Sequence, residues 1–404
     1  MKMVTVKRRV IRPLLKVAAS LVMFAVALFV VSSVSPIYDF APAHKFEGQD
    51  IYNPYRNFDA ANGWKRANFH THTRVEGPLN ECEYWPDKVL EAYEGLGYDI
   101  VSFSNHNQLT DHPKGEEYQV NLYEHGYNLL KFHKLTFGAK GVLAFDHLLP
   151  LLASQKQFQI ELLKGDADIV QINHPLRTPT LSNSQLERLS GYKLIELDSG
   201  KSTENDYWDW ALSAGRYSFG VANDDLHYPD RTSKIARRCN FLSTPSARYE
   251  DILKTLNEGC FYAMRLPDYG NGDWGIKREQ NRAIPYIKDI ALKEGIITIR
   301  FSEPATLIKM VGEGHKTLLT SENCDSIVYA MRATDPYVRA TAYFADGEVI
   351  YTNPFARYDA SSQERPFDAE SPQINLFLTI VFNLLLLVIL SADIYAFYKY
   401  IIKR

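Results

Sequence analysis

From about residue 66 the chain alternates short apolar runs with stretches of helical spacing. Trp64 to His72, Asp99 to Ser104, Ala167 to Ile172, Lys193 to Leu197, Tyr217 to Ala222, Cys239 to Ser243 and Cys260 to Met264 read as strands. Between them, Pro86 to Leu96, Gln155 to Leu163, Trp208 to Ala214 and Ser246 to Glu258 read as helices. The first of these has Pro near its first turn and Gly97 at its end, the usual start and stop signals. Strand and helix alternation at this spacing predicts βα units around a parallel sheet, closed into a barrel over 66–284.

Past about 285 the period changes to two. Gly295 to Phe301, Thr306 to Val311, Asp325 to Ala333 and Tyr337 to Phe344 alternate apolar with polar residues. Asp346-Gly347 then supplies a two-residue hairpin signal before Glu348 to Tyr351. A small antiparallel β domain is expected over 285–354. Residues 36–65 are an irregular lead-in rich in Pro, Tyr and Asn, and 355–373 a polar linker.

Both ends carry long apolar stretches. Val17 to Val34 has no charge and follows Lys2, Lys7, Arg8, Arg9, Arg12 and Lys16; Pro13 to Leu15 can extend it. Leu376 to Tyr398 precedes Lys399, Lys403 and Arg404, and only Asn383 and Asp393 interrupt it. Two transmembrane helices are expected, in 1–35 and 374–404, with both termini cytoplasmic because the positive charge lies on the terminal side of each. The region between them then faces the periplasm or exterior of a bacterial inner membrane, and the lipid bilayer is an expected partner. A cleaved signal peptide is the rival for the first stretch, but Val-Ser-Pro-Ile-Tyr-Asp after it is a poor cleavage site.

Composition narrows the class. A 46% hydrophobic fraction and a net charge of -3 exclude a disordered chain and give no basic footprint for nucleic acid. Four cysteines without a C-x-x-C make a thiolate zinc site unexpected. Cys239 and Cys260 read either as a disulfide or as buried free thiols.

Most of the candidate chemistry sits where strands end. His70 and His72 in Asn-Phe-His-Thr-His-Thr-Arg point to one face of a strand, as a metal ion requires. Ser104-Asn105-His106-Asn107 follows the next strand. Then come Glu124, His133, His174 in Asn-His-Pro, and Asp225-Leu-His227. Alone, His106 or His174 reads as a core or loop histidine, and Asp225 as a turn residue. His125 competes with Glu124, and Asp146-His147 with the middle ligands. His44, His112 and His315 read as surface residues.

The ordered series resembles the polymerase and histidinol phosphatase (PHP) family over about residues 66–265. The resemblance implies a distorted (β/α)7 TIM-like barrel holding two or three divalent ions (Zn, Mn or Fe). It implies His70, His72, His106, Glu124, His133, His174, Asp225 and His227 as ligands, with Glu124 as a bridging carboxylate. Glu76 is the nearest candidate for a further acidic ligand. Asn105 stands where an Asp is common in the family. Such ions activate water for hydrolysis, most simply of a small-molecule phosphate ester. Arg74 and Arg177, and more weakly Lys201, are placed for phosphate contact. Hydrolysis of carboxylic or carbamate esters, or a non-catalytic metal-binding interaction module, are the alternatives.

Overall fold

A computed structural model of the chain describes residues 2–77, 80–199, 202–203, 206–366 and 371–403, so Lys201 lies outside the described residues. After helix α1 (Lys2–Ser32), seven of the ten described strands up to Asn223 frame the site. They are β1 (Lys65–Asn68), β2 (Ile100–Val101), β3 (Tyr123–His125), β4 (Lys134–Phe137), β5 (Ile169–Ile172), β6 (Leu194–Ser199) and β7 (Phe219–Asn223). Helices α2 (Pro86–Glu94), α3 (Ala153–Lys164) and α4 (Asp206–Ser213) lie between them. Strands β3 to β7 are buried along almost their whole length, as strands covered on both faces are. In α2, Pro86 opens the helix and Val89, Leu90 and Tyr93 form the buried face.

The expected closed (β/α)7 barrel is not what the hydrogen bonds make. One sheet has the order β7-β6-β5-β4-β3. The pairs β5/β6 and β6/β7 are parallel, whereas β4 runs antiparallel to both β3 and β5. Only eight residues separate β3 from β4. A parallel crossover needs about a dozen or more, so this connection reverses the chain. A second sheet holds β1 and β2. The two sheets meet through isolated bridges: Thr71 with Leu226, and His106 with Glu124.

The second half joins that second sheet. It contains β8 (Arg238–Leu242), α5 (Tyr249–Glu258), β9 (Phe261–Arg265), α6 (Trp274–Arg282), β10 (Ile287–Lys293), β11 (Ile296–Gly312), β12 (Lys316–Ala330), β13 (Tyr337–Tyr343) and β14 (Val349–Thr352). Its order is β10-β11-β13-β14-β9-β8-β1-β2, with β12 on β11. The β-rich segment past 285 is thus hydrogen-bonded through β14, β9 and β8 to the strand that leads to His70. The runs read as Gly295 to Phe301 and Thr306 to Val311 are one long strand, β11. All four cysteines are free. The disulfide alternative fails because Cys239 registers against Met264, four residues beyond Cys260.

Phe69, fully buried, packs edge-on against Phe137 with ring centroids 5.4 Å apart. Deleting a ring so enclosed costs about 3–5 kcal/mol. This contact anchors the chain between Asn68 and His70.

Helix α1 ends at Ser32, and α7 (Leu376–Phe397) closes the chain. Two stretches, Ile11–Ser32 and Leu376–Ile402, are apolar and long enough to cross a membrane. The first has 22 residues, about 33 Å of helix against a hydrocarbon core of about 30 Å. Little of either stretch is buried against the rest of the protein. They pack side by side. Asn383 Nδ2 donates to Ser35 O (3.0 Å), Thr379 Oγ1 accepts the Ile37 N–H (2.9 Å), and Lys16 Nζ donates to Ile401 O (3.2 Å).

Candidate metal centre

The candidate ligands converge at one end of the two sheets. His70 and His72 follow β1, His106 follows β2, His174 follows β5, and Asp225 and His227 follow β7. His133 precedes its strand instead. Because β4 is reversed, the residue before it reaches the same rim as the residues after the others. Glu124 lies inside β3, where alternate side chains face opposite ways. Its neighbour His125 therefore points away and sets Nε2 2.9 Å from Phe145 O. Asp146 accepts the Tyr127 N–H (2.9 Å) and the Asn128 amide (3.1 Å), and His147 turns to Ser32 O. None of these three joins the cluster around Glu124.

The bridges between the sheets fall at the site itself. Glu124 N–H donates to Asn105 O (3.2 Å), and Asn107 N–H to Glu124 O (2.9 Å). His72 N–H donates to Leu226 O (2.9 Å). Buried polar side chains brace these turns. Asn105 Oδ1 accepts the Thr73 N–H (2.8 Å), and its amide donates to Thr73 Oγ1 and Thr110 Oγ1, both at 2.7 Å. Asn105 is a strut for the His72 turn. Asp224 accepts N–H groups of Ala236, Arg237 and Arg238 and the Tyr93 hydroxyl, all within 2.9 Å. That anchoring leaves Asp225 to face the cluster. His174 and Asp225 both hold positive φ, 24° and 49°. Non-glycine residues in such backbone cost of order 1–3 kcal/mol and concentrate at functional sites.

Glu124 is the hub. Its Oε2 lies 3.2 Å from His70 Nε2, 3.3 Å from His72 Nε2 and 3.2 Å from His106 Nε2. Its Oε1 lies 3.2 Å from His133 Nδ1 and 3.3 Å from His174 Nε2, and accepts the Asn173 amide at 2.9 Å. The two oxygens thus serve two different groups of imidazoles. Asp225 Oδ1 lies 3.2 Å from both His70 Nε2 and His72 Nε2, while its Oδ2 accepts the Arg177 guanidinium. Three sets place one donor atom of each member within 4.8 Å of the others: His70, His72, Glu124 and Asp225; His72, Glu81 and His106; His106, Glu124 and His133.

The charges are mutually adjusted. Burial opposes the charged form of His70 and of His72, but Glu124 and Asp225 outweigh it, raising His70 well above its ordinary value and His72 to about 9. Glu196 adds to the effect on His70. Burial also opposes the charge on Glu124 and Asp225, yet the surrounding imidazoles hold both well below the ordinary carboxylate value. His106, His133, His174 and His227 are lowered, chiefly by burial. A charged cluster of two acids and two histidines sits beside four histidines biased to the neutral form.

These residues fit a divalent metal. Neutral imidazole nitrogens and carboxylate oxygens are its usual donors. Tetrahedral bonds of about 2.0–2.1 Å set neighbouring donors about 3.3–3.4 Å apart, close to the separations around Glu124. His70 Nε2 is fully buried and makes a hydrogen bond to neither carboxylate despite its distance from each. A cation there would satisfy it.

Two acidic partners escaped the sequence reading. Glu81 Oε2 lies 3.3 Å from His106 Nε2 and 3.5 Å from His72 Nδ1; nothing in its loop marks it beforehand. Glu196 lies within β6. Its Oε1 is 3.0 Å from His70 Nδ1 and 3.1 Å from Asn223 Nδ2, and its Oε2 accepts the His174 N–H at 2.9 Å. An acidic residue inside the apolar run Lys-Leu-Ile-Glu-Leu was the available signal, because buried carboxylates need partners. The remaining expected residues stand further out. Glu76 is exposed and joins none of the three sets. Arg74 is exposed, its guanidinium 5.2 Å from the centre of the Trp85 ring. His227 borders the cluster, its ring 4.5 Å from that of His72 and its Nδ1 2.8 Å from Asp225 O.

The chain is therefore a mixed α/β protein with a His/Glu/Asp cluster of metal-binding composition. No protein-family model matches it, and no curated protein does. Among solved structures, it is similar to a two-domain protein containing a predicted PHP-like metal-dependent phosphoesterase from Bacteroides vulgatus ATCC 8482. The alignment covers 78% of this chain and 100% of that one at 14% identity, with a TM-score of 0.37. So loose an overlap carries no argument, and the chemistry rests on the site.

Proposed function

We propose that this chain is a membrane-anchored, metal-dependent hydrolase of the PHP type, cleaving a phosphate ester with metal-activated water. The observation that carries it is Glu124, whose two oxygens face five imidazoles in two groups. His70, His72, Glu124 and Asp225 would hold one ion. His106, His133 and His174, with Glu81 and His227 at the border, would hold one or two more, of zinc, manganese or iron. When bound, such ions lower the pKa of water and neutralise charge on the phosphoryl oxygens. The chain's own residues orient the donors: Glu196 fixes the His70 ring, and Arg177 fixes Asp225. Arg74 and Glu76 lie outside the donor groups, free to meet the substrate. Positive charge at both chain ends, with paired apolar helices, supports two spans and a site facing the periplasm.

The test is the metal content of the purified full chain, with hydrolysis of generic phosphate esters after metal addition. About one or more transition-metal ions per chain and metal-dependent turnover are expected; neither appearing rejects the reading. A second reading draws on the cavity beside the site. Its volume is about 580 Å³, and its lining, including Glu76, Glu81, Asn105 and Tyr127, contains no Lys or Arg among the described residues. That favours a less anionic carboxylic or carbamate ester. Inhibition by inorganic phosphate supports the first reading over this one.

A further inference from the structure

Four leucines stand exposed on the rim that carries the metal centre: Leu129 (66%), Leu176 (47%), Leu151 (43%) and Leu152 (41%). Their loops form one connected surface. Leu129 N–H donates to Leu148 O (3.0 Å). Thr178 Oγ1 donates to Lys131 O (2.9 Å), and Gln185 Nε2 to Leu151 O (2.9 Å). Lys156 Nζ bonds both Pro150 O (2.6 Å) and Gln185 Oε1 (2.7 Å), locking the last two loops together. Single exposed leucines are ordinary, but four on loops hydrogen-bonded to one another point to a shared apolar partner.

The same rim is fastened to the end of α1. His147 Nδ1 lies 2.5 Å from Ser32 O, Gln155 Nε2 donates to Ser33 O (3.3 Å), and Ser154 Oγ accepts the Tyr38 N–H (3.1 Å). The apolar stretch of α1 stops at Ser32. If α1 crosses the bilayer, that residue marks the depth of the interface, and the rim sits at that depth. The rim also leads into the site. Leu176 lies between His174 and Arg177, and Leu129 four residues before His133. Tyr127, 55% exposed, donates its hydroxyl to His106 O (3.1 Å) and its N–H to Asp146 (2.9 Å).

We propose that the Leu129, Leu151, Leu152 and Leu176 rim is seated in the membrane interface, and that the metal centre acts on an amphiphile embedded there, one whose head group carries the phosphate ester. The leucines meet the acyl boundary, as apolar faces of interfacial segments do. The head group reaches the donor cluster on the His174 and Arg177 side, next to Leu176, while its tail stays in the bilayer. Water gives its oxygen to phosphorus, the bond from phosphorus to the leaving oxygen breaks, and a proton goes to that oxygen, releasing the lipid alcohol. The substrate claim rests on the hydrolase reading; the seat does not.

The experiment uses the full metal-loaded chain in lipid nanodiscs. Leu129→Trp and Leu176→Trp each add fluorescence that brominated phospholipids are expected to quench by about half relative to unbrominated discs. In parallel, Leu129→Ser with Leu151→Ser is expected to slow hydrolysis of a long-chain phosphate ester about tenfold and to leave a four-carbon analogue within about twofold. No quenching at either position overturns the seat and the proposal with it. Quenching with equal rates on long and short esters overturns the lipid substrate and leaves the hydrolase. Quenching with no hydrolysis of any ester removes the hydrolase reading, and the substrate with it, while the seat stands.

Discussion

Replacing Glu196 by glutamine probes whether a residue one step from the proposed metal governs its binding. The carboxylate takes three N–H contacts: His70 Nδ1 at 3.0 Å, Asn223 Nδ2 at 3.1 Å and His174 N at 2.9 Å. Glutamine has the same shape but one acceptor oxygen. Whichever way its amide turns, its NH2 faces a donor. Losing one charge-assisted bond costs about 1.5–3 kcal/mol. Loss of a carboxylate that orients a metal-bound histidine weakens affinity about 10–100-fold, roughly 1.4–2.7 kcal/mol. The two estimates agree. The pH dependence is more diagnostic. In the metal-free protein His70 and His72 are raised, so metal must displace protons, and wild-type affinity climbs as pH rises toward 9. Without the Glu196 charge, His70 holds its proton less tightly and the variant gains less from that climb. The gap between wild type and variant should therefore widen from about pH 7 to about pH 9. Chelator competition at several pH values measures it, with circular dichroism to check folding. A folded variant with affinity within about twofold of wild type, or a gap that narrows with pH, refutes the reasoning.

Three further outcomes are expected. Burial pushes Lys156 down to about 7 from its ordinary 10.5; the unfolded chain therefore takes up this proton first as pH falls, and stability rises with pH through that window. Lys156→Met should remove up to about 3 kcal/mol of the rise between about pH 7 and 9 in urea denaturation. Arg339, fully buried, forms a two-point pair with Asp209, through Nε at 3.0 Å and through Nη2. Arg339→Met leaves the buried Asp209 charge only the Tyr337 hydroxyl (3.0 Å) and His315 Nδ1 (3.2 Å), and should cost about 3 kcal/mol, with part recovered by adding Asp209→Asn. For topology, reporters fused at either terminus should both read as cytoplasmic; an external C-terminus refutes the paired-span reading.

Much of this was legible in the residues. Strands that end at a polar cluster stand out in the sequence, because several apolar runs each followed by His or Asp-x-His share one reading as a core edge facing a site, although each alone reads as a core, loop or turn residue. His70, His72, His106, His174 and Asp225 were visible that way. His133 was harder, since it precedes a reversed strand, and the reversal follows from a short connection. Glu81 sits in a loop with no periodicity at all. The barrel was over-read for a related reason: alternation reveals strand and helix order, whereas closure depends on pairings between residues far apart, such as Thr71 with Leu226. The long β11 was split in two because Ser302, Glu303 and Pro304 interrupt its alternation.

The two sheets meet through single bridges, and both bridges lie among the site residues: His106 against Glu124, and Thr71, between His70 and His72, against Leu226, between Asp225 and His227. An ion held by His70, Glu124 and Asp225 would then act as a clasp, tying together segments that backbone pairing barely joins. Coupling of this kind is reciprocal. Metal would slow parting of the sheets, and whatever pries the sheets apart would expel the metal. Loss of the ion would leave those two seams to the shared apolar core, with Phe69 against Phe137, and to side-chain bonds such as Asn240 with Ala222.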